Sequence, residues 1–92
     1  MFQRRIRIEI VGADGSVWPC PIKGLDSFAM RNFTNDAVFD DTLPVEDGVM
    51  EAGHRVPLER LRVAMEDWLR RKGFVKTGEE LRVTEISRTE EK

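Results

Sequence analysis

The chain predicts an α+β fold in which a small antiparallel sheet of three to four strands packs on one long amphipathic helix. Three observations carry that expectation. Ile6, Ile8 and Ile10 alternate with Arg5, Arg7 and Glu9, the period-two pattern of a strand with one buried face. An Asp14-Gly15 pair follows, a strong hairpin signal because glycine accepts positive φ. Leu58, Leu61, Met65, Trp68 and Leu69 then recur at helical spacing, with charged residues between them. The sheet is expected from an N-terminal hairpin plus a C-terminal strand, the helix over about residues 57–72, and a shorter helix near 26–33.

Each element has a local reason. The returning strand of the hairpin begins at Val17 and Trp18. Pro19 and Pro21 cannot donate ladder hydrogen bonds, so that strand belongs at a sheet edge. After Lys23-Gly24, the residues Leu25, Phe28, Ala29 and Phe33 have helical spacing, with Asp26 or Ser27 available as a cap. Residues 34–56 are the least regular stretch. Ala37-Val38-Phe39 reads as a short strand, and Pro44, Gly48 and Gly53 punctuate the rest.

The long helix has the clearest boundaries. Pro57 suits the first helical position, where a missing N–H costs nothing, and Glu59 suits the positive end of the helix dipole. Arg70, Arg71 and Lys72 complement the negative end. Gly73 fits a left-handed cap, with Phe74 expected to fold back on Leu69. A turn at Lys76-Thr77-Gly78-Glu79 leads to the last strand, where Leu81 and Val83 alternate with Arg82 and Thr84. Ile86 breaks that alternation and suggests a bulge or a frayed end. A single domain over 1–86 with a disordered polar tail over 87–92 is the expected organisation.

Composition narrows the chemistry. Fifteen Lys and Arg stand against seventeen Asp and Glu among 92 residues, a net charge of -2, which argues against a generally basic nucleic-acid binder. One cysteine excludes an internal disulfide, and with one histidine it cannot build a Cys/His zinc site. No run of eighteen apolar residues and no leader-like segment occurs, so a cytoplasmic protein without a membrane partner is expected. Neither a cofactor nor a metal is expected.

The acids are unevenly distributed. Residues 32–53 hold Asp36, Asp40, Asp41, Glu46, Asp47 and Glu51 and no Lys or Arg, which leaves the remainder at +4. Their spacing is not that of a calcium loop, which needs alternating oxygen ligands, a Gly turn and a distal Glu. A solvated loop explains them without function. A docking surface for a basic partner is the sharper reading, in which Asp36, Asp40, Asp41, Glu46 and Asp47 meet the partner and Trp18 adds an exposed aromatic anchor.

Two other readings are weighed beside it. If the first and last strands pair, Arg5, Arg7 and Arg82 share a face that could contact nucleic-acid phosphates. Cross-strand pairing with Glu residues accounts for the same arginines without function. Cys20 or His54 would have to carry any catalysis, yet Cys20 lies between prolines with no helix N-terminus to activate it and reads as a core filler. His54 reads as a loop residue.

The expectation is therefore a non-catalytic protein-interaction module, an adaptor or a small inhibitor, working as a monomer or weak homodimer. Its partner would be a protein or ribonucleoprotein with a basic surface. A phage or mobile-element protein that blocks a host nucleic-acid-processing complex is one form this could take.

Overall fold

A computed structural model describes residues 4–22 and 27–86. The chain runs β1 (Arg4–Val11), β2 (Val17–Pro19), α1 (Ser27–Thr34), a 3-10 helix (Ala37–Asp41), β3 (Thr42–Glu46), β4 (Val49–Ala52), α2 (Leu58–Lys72) and β5 (Glu80–Ile86). The expected α+β architecture is present, with a five-stranded sheet. The expected tail over 87–92, and Asp26 as a helix cap, lie outside the described residues.

β1 is the organising strand. β5 pairs antiparallel along it from Arg5↔Ile86 to Val11↔Glu80. The other edge of β1 is shared, with β4 taking Arg4 to Arg7 and β2 taking Glu9 to Val11. The exchange occurs at Ile8, whose N–H donates to the Gly48 carbonyl at 2.8 Å and whose carbonyl accepts from Cys20 N–H at 3.0 Å. β3 extends the sheet beyond β4 and forms its edge. Pro44 is tolerated in that edge strand because no further strand needs its N–H.

The period-two pattern sorts β1 as its sequence demands. Ile6, Ile8 and Ile10 are fully buried with Met50, Ala52 and Leu81, under the helical layer supplied by Leu61, Met65, Trp68 and Leu69 of α2. Burial of each Ile, Leu and Met side chain among these contributes about 1.5–3 kcal/mol. The exposed side of α2 carries a charge ladder in which Arg62 bridges Glu59 and Glu66 at 2.6 Å each, and Arg70 reaches Glu66 at 2.8 Å. The Arg62 hydrogen bonds hold the Glu59 carboxyl below its ordinary range. Arg70 also donates to the carbonyls of Lys76 and Glu79, which ties the turn before β5 to the helix.

Several expectations are corrected. Within residues 34–56, Ala37–Asp41, Thr42–Glu46 and Val49–Ala52 form regular structure. Ala37-Val38-Phe39 begins a 3-10 helix, not a strand, because Asp36 accepts from Val38 N–H and caps it. The following apolar residues form the β3–β4 hairpin. Its pairing is hidden from a period-two reading by a register shift between Pro44 and Glu46. Pro57 is the cap of α2, one position earlier than expected, with extended ψ and its carbonyl accepting from Leu61 N–H.

At the other end Gly73 adopts φ +88°, as expected. Phe74 N–H donates to Leu69 and Gly73 N–H to Arg70, the two bonds of a Schellman cap. The Phe74 side chain is nevertheless 41% exposed, and Val75 takes the buried position. Ile86 neither bulges nor frays, since it stays in register opposite Arg5 on the face away from the helices. The apparent change of parity arises because Ile86 is an apolar residue on the outer face.

Candidate functional site: the β3–β4 hairpin tip against β2

The acidic segment divides into two parts with different surroundings. Asp36 caps the 3-10 helix and also receives Arg60 at 2.9 Å. Asp40 pairs with Arg31 at 3.0 Å, and Asp41 with Arg55 at 3.6 Å. Asp41 is the most enclosed of the three, with its side chain 17% exposed, and its carbonyl accepts from Gly53 N–H at 2.9 Å. A Cβ at position 53 would overlap the Asp41 carboxylate, so the glycine leaves room for that side chain. Glu51, the sixth acid, receives Arg5 at 2.9 Å across the β1–β4 pair.

These bases come from outside residues 32–53. Arg5, Arg31, Arg55 and Arg60 neutralise what the linear sequence presents as an uncompensated acidic stretch. Asp36, Asp40 and Asp41 thereby tie the 3-10 helix to α1 and to the entry of α2. A hollow of about 390 Å³ lies between them, bordered by Asp40, Asp41, Arg55 and Arg60.

Glu46 and Asp47 sit elsewhere, at the exposed tip of the β3–β4 hairpin. Glu46 makes no ion pair with another described residue. Gly48 closes the turn at φ +83°, a conformation that favours glycine. It also lies so close to β2 that a Cβ would stand 2.9 Å from the Pro19 Cβ. The hairpin tip is therefore seated against the β2 edge. A second hollow of about 230 Å³ opens there, walled by Arg7, Glu9, Pro19, Glu46, Asp47 and Val49.

Trp18 is 36% exposed, as an edge strand bounded by prolines allows. It pairs with Ile10, so its side chain belongs to the opposite side of the sheet from Pro19, which pairs with Glu9. Its ring lies over Gly12, where an added Cβ would meet it at 3.2 Å. Val17, Leu43 and Val45 are further exposed apolar residues on the edge strands β2 and β3. The fold thus gathers Glu46 and Asp47 with Pro19 and Arg7, sets Trp18 at the same edge on the other face, and leaves Asp36, Asp40 and Asp41 apart.

The alternative arginine face forms as the strand pairing requires, but its charges are largely matched. Arg5 meets Glu51, and Arg82 meets Glu9 at 2.8 Å with Glu9 directly opposite in register. Arg7, flanked by Val49 and Thr84, has no ion pair with another described residue. The linear reading missed Arg7 and Pro19 as neighbours of the acidic tip. The signal it could have used is the Asp47-Gly48 pair, a hairpin turn of the same kind as Asp14-Gly15.

Cys20 is fully buried, and burial pushes its thiol up to about 12. At neutral pH it is a protonated and enclosed sulfur, a poor nucleophile. His54 is exposed in the loop before α2. Among the described residues no three His, Cys, Asp or Glu side chains are grouped to hold a metal ion, and no helix is long and apolar enough to cross a membrane. Comparison with known proteins finds no matching family model, no matching curated protein and no matching solved structure.

Proposed function

We propose that this chain is a non-catalytic protein-interaction module, an adaptor or small inhibitor acting in the cytoplasm. It docks on the basic surface of a protein or ribonucleoprotein through the tip of the β3–β4 hairpin. The supporting observation is the seating of Gly48 against Pro19, which mounts the exposed Glu46 and Asp47 on the sheet edge. Asp36, Asp40 and Asp41 are engaged by Arg60, Arg31 and Arg55 and hold the base of the hairpin in place, while Glu46 and Asp47 stand exposed at its tip to meet the partner. Pro19 and Val17 extend the tip as apolar surface, and Trp18 lies at its margin. A held carboxylate pair serves docking because complementary charge steers encounter and sets orientation, while the apolar contact resists dissociation.

The buried, protonated Cys20 supports the non-catalytic part of this reading. The pairing of Arg5 and Arg82 with acids favours a protein partner over direct phosphate contact. The test is capture of a stoichiometric partner from nuclease-treated lysate, repeated with Glu46→Gln plus Asp47→Asn. The expected outcome is loss of most of the partner with the tip variant, while Arg5→Ala plus Arg82→Ala leaves capture intact. Undiminished capture by the tip variant overturns the proposal, and recovery of nucleic acid through Arg5 and Arg82 replaces it.

A further inference from the structure

We draw no further inference here: the strongest candidate, the helix-free outer face of the sheet around Arg7 between Val49 and Thr84, has its other two arginines matched by Glu51 and Glu9, and nothing in the structure shows what covers it.

Discussion

Gly48 and Pro19 meet across the junction where β1 passes from β4 to β2, so closely that position 48 has no room for a side chain. Gly48→Ala adds two penalties there, a left-handed backbone strained by a Cβ and a clash with the proline ring. Gly15 has φ +90° but nothing within 4 Å of an added Cβ. Gly15→Ala is expected to cost about 1 kcal/mol, and Gly48→Ala about 2–4 kcal/mol. Urea unfolding of the two variants measures the difference, which isolates the close contact from the backbone strain they share.

Asp36 works twice, as the cap of the 3-10 helix and as the acceptor for Arg60. Asp36→Ala is expected to lower stability by about 1 kcal/mol, within the range for a lost cap. Glu46→Gln is expected to change it by less than about 0.5 kcal/mol, as for an exposed charge without a described partner. If the docking proposal holds, binding responds in the opposite order. Thermal melts and partner capture on the same two proteins check both halves.

The Cys20 thiol yields a pH expectation. Its folded value is raised to about 12 by burial, while the unfolded thiol ionises near its ordinary value. Below that ordinary value both states are protonated and the group is neutral to stability. Above it the unfolded state gains by ionising, so stability falls as pH climbs toward about 12. Cys20→Ala is expected to flatten this alkaline decline relative to the parent in denaturant titrations at successive pH. Iodoacetamide at pH 8 should label the parent only after unfolding.

Ile8 lies at the exchange point of the sheet, fully buried under the helical layer. Ile8→Ala is expected to cost about 2–5 kcal/mol. That is a large share of the total stability of a domain this size. Arg7→Ala, its exposed neighbour, should stay within about 0.5 kcal/mol. Hydrogen exchange of the Ile8 amide, bonded to Gly48, reads the same contrast residue by residue.

The strands and helices with strong periodicity were legible because their pattern is local. Ile6, Ile8 and Ile10 need only their neighbours to define a buried face, and the stripe from Leu58 to Leu69 needs only helical spacing. The 34–56 segment was not legible for two reasons. Asp36 converts Val38 and Phe39 to a 3-10 turn through one side-chain bond, and the irregular step at Pro44 to Glu46 scrambles the alternation of β3.

The sequence by itself determined the α+β class, the first strand with its buried isoleucine face, and the end of the long helix at Gly73. Only the tertiary structure decided which acids are neutralised by bases from outside their segment. Charge is counted along the chain, but it is compensated through space. Arg5, Arg31, Arg55 and Arg60 arrive from elements on either side of the acidic segment. Likewise nothing local to Pro19 or Gly48 indicates that they touch. That contact follows from two strands sharing one edge of β1, which sets side by side segments almost thirty residues apart.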